Sequence, residues 1–314
     1  MHMTTKPYTV TEVDRLVLLA LNRFHYLTAA QLSRLLYPNL NDENRYAQRR
    51  LKQLADSEYA LQLRALPKPQ YGQAPYVYTL ARKGRTYVQG LGFAVEPYFR
   101  PSEEKRTTQN SPFMAHRLAA IDVMIAAERL SRDVPGLACP QMLSERELKR
   151  GAVRVDVPPR RHSNADGPRK VAVIPDAWFQ LSINAEVPVS IALELDRGTE
   201  DQKVWREKVA AYVVWAGGPY KEAYETDNLT IAIVCPDDRR RTVLIDWTTR
   251  ELRDRESEEY GELFLFTATS PVEVSPVRFF FDKLWRQAGF AEAISLFDHP
   301  ASGVKEEGVV YQIV

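Results

Sequence analysis

The sequence predicts an α+β protein of two units: a small helical unit closed by a β-hairpin, then a larger mixed α/β unit. Three observations carry this. The first is charge. Over residues 1–94, thirteen Lys/Arg stand against six Asp/Glu, a net +7, and because the chain of 314 residues sums to +1, the remainder is acidic at −6. The second is periodicity, which is helical through residues 13–57 and strand-like at 171–181 and 189–196. The third is a break: residues 96–112 hold Pro97, Pro101 and Pro112, mixed charge and no repeat, and predict a linker between a unit of 1–95 and one of 113–300, with a tail over 301–314.

Composition narrows the class further. With 45% hydrophobic and 26% charged residues the chain is an ordinary globular one, not collagen-like, mucin-like or disordered. No apolar run approaches the roughly 18 residues of a bilayer span, and the Met1 end lacks a basic-then-apolar leader, so a cytoplasmic protein with no membrane partner is expected. Cys139 and Cys235 show no CxxC spacing. Both are expected to be core thiols, with neither a disulfide framework nor a zinc site.

In the first unit, Val13, Leu16, Val17, Ala20, Leu21 and Phe24 recur on one face of a helix. Thr28 and Gln31 form a capping-box pair that opens a second helix, with Leu32, Leu35 and Leu36 inward and Pro38 closing it. A third helix is expected from about Asp42 to Ser57, burying Ala47, Leu51, Leu54 and Ala55. Its opposite face gathers Arg45, Gln48, Arg49 and Lys52 at i, i+3, i+4 and i+7, with Arg50 beside them. Leu61–Leu66 and Pro75–Leu80 then flank a turn containing Pro67, Pro69 and Gly72, a hairpin with Lys68 at its tip. The basic segment Arg82-Lys83-Gly84-Arg85 follows.

Three helices and a hairpin in this order, with basic residues on the third helix and the hairpin, are similar to winged helix-turn-helix DNA-binding domains. That resemblance implies a third helix in the major groove and a wing along the backbone. Together with the local charge of +7 it makes double-stranded DNA the expected partner, contacted by Arg45, Gln48, Arg49, Arg50, Lys52, Lys68, Arg82 and Lys83.

The second unit opens with a helix from about Phe113 to Leu130, with Met114, Leu118, Ile121 and Ile125 inward and His116 as a packing or capping residue. Val171–Leu181 and Val189–Asp196 then read as two strands of a hairpin centred on Ala185. That register sets Ala177, Phe179 and Leu181 against Leu193, Ile191 and Val189, an apolar face. On the other face Asp176 lies opposite Glu194, with Asp196 two residues on. Like charges facing across a sheet repel, so three carboxylates at one strand end call for a cation, and a hard divalent ion, Mg²⁺ or Mn²⁺, fits them. A helix follows, with Thr199 and Gln202 as its capping pair and Val204, Lys208, Ala211, Tyr212 and Trp215 inward. Lys208 interrupts that apolar stripe and is expected to reach an acid at the strand end. Leu229–Val234 reads as a further buried strand.

Helix, strands, an Asp strand, a Glu strand, helix, strand is the element order of the restriction-endonuclease-like PD-(D/E)xK core, which this unit resembles. The resemblance implies Asp176 and Glu194 as metal ligands and a catalytic lysine two residues after the Glu. Position 196 is Asp instead, so the catalytic set becomes Asp176, Glu194 and Asp196 for the metal with Lys208 as the lysine donor. Glu145 and Glu147 are candidates for a fourth acid or for a solvated turn. The winged-helix start, the stretch from His116 to Val123, Ser144 to Leu148, Ile174 to Phe179, and Glu194-Leu195-Asp196-Arg197-Gly198-Thr199-Glu200 with Lys208 and Tyr212 together resemble the replication-relaxation family over about residues 10–245. That family belongs to plasmids and other mobile elements.

The resemblance implies DNA engagement by the first unit and an acidic function in the second. Three readings follow: a DNA-binding protein of a mobile element with a degenerate nuclease-like unit; a Mg²⁺-dependent nickase or endonuclease; or a transcriptional regulator. Partners are duplex DNA, replication or transfer proteins of the same element, and a second copy of the chain. Toward the end, Asp237 to Arg241 opens a helix and offers a phosphate-contacting patch. Phe279–Trp285 reads as an aromatic element covering the core or forming a dimer surface, and the last residues, Val309–Val314, as an edge strand.

Overall fold

The first described helix opens at Thr11, whose hydroxyl accepts the Asp14 amide while the Asp14 carboxylate receives the Thr11 N–H. The structure is a computed structural model that describes residues 8–38, 43–64, 66, 73–95, 112–160, 167–184, 186–226 and 228–297. Helix α1 spans Glu12–Phe24 and buries Val17, Leu18, Ala20, Leu21 and Phe24. The stripe is turned slightly from the expected one, since Val13 and Leu16 are only half-buried and Leu18 is fully covered. Strand β1 (Leu27–Thr28) leads directly into α2 (Ala29–Leu36), capped by the expected Thr28–Gln31 box. Helix α3 runs Glu43–Asp56 with Ala47, Leu51 and Leu54 buried.

Strands β2 (Ala60–Leu63) and β3 (Val77–Leu80) pair antiparallel, Ala60 opposite Leu80 and Leu63 opposite Val77, and β1 joins the free edge of β3. The hairpin turn with Lys68, Pro67, Pro69 and Gly72 lies outside the described residues. The segment Arg82–Arg85 proves to be the first turn of a helix, α4, Arg82–Gly90. Gly84 is what lets that turn close on β2, because a Cβ there would stand 2.1 Å from the Tyr59 carbonyl oxygen.

Helix α5 (Pro112–Asp133) carries the division of the chain into two compact units, 1–121 and 122–314. Of the break expected from sequence at 96–112, residues 96–111 lie outside the described set. The first turns of α5 pack within the first unit. The Gln31 side-chain amide donates to the Leu118 carbonyl at 2.7 Å, and the Arg117 guanidinium lies 5.4 Å from the centre of the Tyr26 ring.

In the second unit, short strands β4 (Leu137–Ala138) and β5 (Met142–Ser144) and helix α6 (Glu145–Arg150) precede a separate hairpin of β6 (Val153–Val157) and β7 (Arg169–Val173). The main sheet is built on β8 (Ala177–Ile183), β9 (Val189–Leu195), β10 (Thr230–Val234) and β11 (Phe264–Thr267). Strand β8 pairs antiparallel with β9 in the register the alternation predicts, Ala177 opposite Leu193 and Phe179 opposite Ile191. Strands β9, β10 and β11 are mutually parallel, connected by α7 (Gln202–Ala216) with the short α8 (Pro219–Tyr224), and by α9 (Asp238–Asp254). Beyond β11 come α10 (Pro276–Phe281) and the antiparallel edge strands β12 (Trp285–Gln287) and β13 (Ala293–Ile294). At the other edge β4 and β5 both pair with β8.

Helices α7 and α9 touch one another on one face, where Trp205, Tyr212, Trp215 and Leu244 meet Trp178, Ala192, Ile231, Ile233, Phe264 and Phe266. Trp178, Trp205, Trp215 and Trp285 are all fully buried. Each large aromatic removes on the order of 150–250 Å² from water, which makes this the main source of the unit's stability. On the opposite face Phe280 meets Phe179 edge-on. Phe279, Phe280, Phe281 and Trp285 are therefore core within the chain rather than a dimer surface.

Several expectations need correction. The first predicted strand, 171–181, is two strands: Ile174, Pro175 and Asp176 interrupt it, since Pro175 has no N–H to give the ladder, and Val171 pairs instead with Val155. Helix α7 is capped by Asp201, which accepts the Val204 amide, not by Thr199, and Val204 is 47% exposed rather than inward. Cys235 is a buried core thiol, its pKa pushed up to about 12 by burial, whereas Cys139 is only half-buried. The tail 301–314 lies outside the described residues. Among the described residues no helix is long and apolar enough to cross a membrane.

Candidate functional site

The residues that the sequence singles out lie in two charged places, one in each unit, and these are built differently. On α3, Arg45, Gln48, Arg49 and Lys52 are all exposed, because Ala47, Leu51 and Leu54 take the buried side of the same helix. The Arg49 guanidinium lies 5.4 Å from the centre of the Tyr46 ring, and Lys52 donates to Asp56 one turn on at 2.6 Å. Both contacts are at the surface, where such pairs contribute little and yield readily to a stronger anion.

Arg50 does not join that face. Its Nε donates to the Tyr46 hydroxyl at 3.3 Å, and its Nη1 stands 3.7 Å from Asp14, a fully buried carboxylate at the start of α1. The Tyr8 hydroxyl donates to the same carboxylate at 2.7 Å. Burial of Asp14 opposes its charge, but the hydrogen bonds from Thr11 and Tyr8 outweigh it and hold its pKa below the ordinary value. Arg50 therefore ties α3 to α1. Arg82 and Lys83 are exposed at the start of α4, with the Lys83 ammonium 4.3 Å from the centre of the Tyr59 ring. Lys68 lies outside the described residues.

The acids of the second unit meet at the ends of β8 and β9. Pro175 ends the preceding segment, so Asp176 sits just ahead of β8. Its N–H donates to the Leu193 carbonyl at 2.9 Å, and its carboxylate accepts the Leu195 N–H at 2.8 Å. Glu194, 3% exposed, points toward α7, where one carboxylate oxygen accepts the Lys208 ammonium at 2.9 Å and the other the Tyr212 hydroxyl. Lys208 also donates to Glu200 at 2.7 Å. Asp196 is held bidentately by Arg240, at 2.7 and 2.9 Å, and accepts the Gly198 N–H at 3.1 Å.

These partners decide the electrostatics. Burial pushes the Glu194 pKa up to about 7, against the opposing pull of Lys208. Burial works to lower the Lys208 pKa, but Glu194 and Glu200 prevail and raise it well above its ordinary value. Burial, then Glu194, raises Tyr212 as well.

Sequence reasoning anticipated that Lys208 would find an acid at the strand end, and it does. It missed Glu200 as the second acceptor and the hydrogen bond from Tyr212, and it gave Arg240 to a phosphate-contacting patch. The parallel order of β9 and β10 brings the start of α9 beside the end of β9, which is why Arg240 meets Asp196. Arg241 pairs with Asp238 at 3.1 Å. Glu145 and Glu147 are also spent elsewhere: Glu147 closes a capping box with Ser144, and Glu145 pairs with Lys149. A divalent ion on Asp176, Glu194 and Asp196 does not fit this arrangement. Lys208 lies between Glu194 and Glu200, Arg240 covers Asp196, and among the described residues no group of three His, Cys, Asp or Glu is disposed to hold a metal.

The class this defines is a two-unit protein mixing helices with sheets, a solvent-facing basic helix in one unit and an internally paired acid cluster in the other. The chain belongs to the replication-relaxation family, whose model matches residues 18–229, and membership points to a role in the replication or relaxation of plasmids or other mobile elements. No curated protein and no solved structure matches it.

Proposed function

We propose that the protein is a duplex-DNA-binding protein of a plasmid or other mobile element, with the first unit acting as a winged helix-turn-helix. Arg45, Gln48 and Arg49 read the major groove; Lys52, Arg82 and Lys83 hold phosphates, joined by Lys68 from the hairpin. The second unit, nuclease-like in its element order, serves as an architectural or partner-binding module that engages replication or transfer proteins of the same element. The observation that carries this reading is the outward face of α3, which gathers Arg45, Gln48, Arg49 and Lys52 in the open while Arg50 is diverted to the core.

The alternative, a Mg²⁺- or Mn²⁺-dependent nickase using Asp176, Glu194, Asp196 and Lys208, draws support from the gathering of acids at one strand end; the ion pairs on those acids weigh against it. Fluorescence anisotropy with a labelled duplex at several salt concentrations tests the proposal. Wild type binds with a steep negative salt slope, and Arg49→Glu lowers affinity at least about tenfold. Unchanged affinity in that variant would remove α3 from the interface.

A further inference from the structure

The second unit carries four carboxylates around one strand end and two cations seated among them. Three features of the geometry bear on what this cluster accepts. First, the Lys208 ammonium stands within hydrogen-bond distance of two carboxylates from different segments, 2.9 Å from Glu194 at the end of β9 and 2.7 Å from Glu200 in the loop before α7. A divalent ion bridging the same two groups would occupy the same space, since its oxygens must lie at about 2.0–2.6 Å. Second, the other oxygen of Glu200, Oε2, is buried and has no hydrogen-bond partner, so this carboxylate has acceptor capacity that Lys208 leaves unused. Third, Asp196 is locked away by the Arg240 fork, and Arg240 in turn donates to the Glu200 carbonyl at 2.7 Å, holding the loop that carries Glu200 against the site.

We propose that Lys208 is the resident cation of this cluster, seated between Glu194 and Glu200 where a divalent metal would otherwise bridge them, so that lysine and metal exclude one another. The native unit therefore folds and works without a divalent ion, and removing the ammonium while keeping the carboxylates creates a metal site. The inference concerns the second unit alone and is independent of DNA binding by the first.

The test is Mn²⁺ uptake by the full-length chain, followed by electron paramagnetic resonance of the free ion in the cold, with thermal unfolding beside it. Wild type shows no saturable uptake. Lys208→Ala takes up one Mn²⁺ per chain at least about tenfold more tightly than wild type, a difference of about 1.4 kcal/mol. It is stabilised by the metal and loses the site again when Glu200→Gln is added. Lys208→Gln keeps the bulk of the side chain, gains the same site, and decides the matter together with wild type should Lys208→Ala not fold. Saturable uptake by wild type that Glu194→Gln abolishes would overturn the proposal. So would folded Lys208→Ala or Lys208→Gln, judged by circular dichroism, that takes up no metal.

Discussion

The basic face of α3 and the acid cluster around Glu194 are both dense in charge, yet one is left open and the other closed from within. Arg45, Gln48, Arg49 and Lys52 are exposed on one side of the helix, where Lys52 pairs with Asp56 and Arg49 lies by Tyr46. Glu194 and Asp196, by contrast, are almost wholly buried, and each of their carboxylates has an internal cation, Lys208 or Arg240. A buried charge must be compensated inside the fold because water cannot do it, whereas an exposed one keeps its field for a partner. The same contrast appears within α3 itself, where Arg49 faces out and the adjacent Arg50 turns in to Asp14. Charge that the fold neutralises is architecture, and charge that it leaves open is the candidate interface.

The largest effect is expected at Lys208. At a pH above the folded pKa of Glu194, Lys208→Met leaves a buried carboxylate without its cation and is expected to cost about 3–5 kcal/mol of stability, lowering the thermal midpoint of the second unit by roughly 10 °C, with duplex affinity of the folded protein unchanged; the cost shrinks at lower pH, where the carboxyl is protonated. A midpoint within a degree of wild type would show that the ion pair is idle. Next is Arg49→Glu, for which duplex affinity drops ten- to hundredfold, about 1.4–2.8 kcal/mol, while the thermal midpoint stays put. Arg50→Met reverses the pattern and loses about 1–2 kcal/mol of stability, because Asp14 is left buried without its cation, and affinity changes less than in Arg49→Glu. If Arg50→Met instead behaved as Arg49→Glu does, the division of the helix into an inner and an outer side would be wrong. Lys52→Ala is the smallest change, with stability altered by less than about 0.5 kcal/mol because the pair with Asp56 is exposed, and the salt slope of binding reduced by about one phosphate contact.

A pH series sharpens the same contrast. The folded pKa of Glu194 is pushed up to about 7 from an ordinary 4.5, so its protonated form is favoured in the fold. The stability it contributes is fully present below the ordinary value and is lost as pH rises through the folded value. Wild type, measured against Glu194→Gln by chemical denaturation, should therefore lose relative stability across that window. A relative stability that rises with pH would mean that Glu194 is held ionised by Lys208 and Tyr212 more strongly than burial opposes it.

Much of this was legible in the residues, for physical reasons that differ from element to element. Helix α2 announced itself through the Thr28–Gln31 box and its leucines, both local signals. The β8–β9 register followed from alternation about a short turn, since a slip of one residue would set Phe179 opposite Ser190 and break the match of apolar with apolar. Lys208 was conspicuous as one cation in an apolar stripe. What escaped was either non-local or hidden in composition. The pairing of Arg240 with Asp196 joins residues 44 positions apart and depends on two parallel strands lying side by side. Glu200 falls in the first turn of the helix expected from the Thr199–Gln202 pair, with no local signal that it would meet Lys208, and the break at Pro175 is masked by the apolar residues on either side. The start of α4 has no capping side chain at Ala81 and no apolar periodicity over Arg82–Arg85, so it read only as a basic segment. Arg50 falls outside the i, i+3, i+4, i+7 set, between Ala47 and Leu54 on the helix, but its partner Asp14 lies on another helix and is not readable from spacing.

If the exposed charge on α3 binds DNA and the closed charge around Glu194 needs no metal, negatively supercoiled plasmid reports both at once. Incubated with wild type, Arg49→Glu and Glu194→Ala in Mg²⁺, Mn²⁺ or EDTA and resolved on an agarose gel, the plasmid is predicted to shift with wild type in all three conditions, to stay supercoiled throughout, and to lose the shift with Arg49→Glu. Nicking that requires the metal and disappears in Glu194→Ala, or a shift that survives Arg49→Glu intact, would contradict that reading.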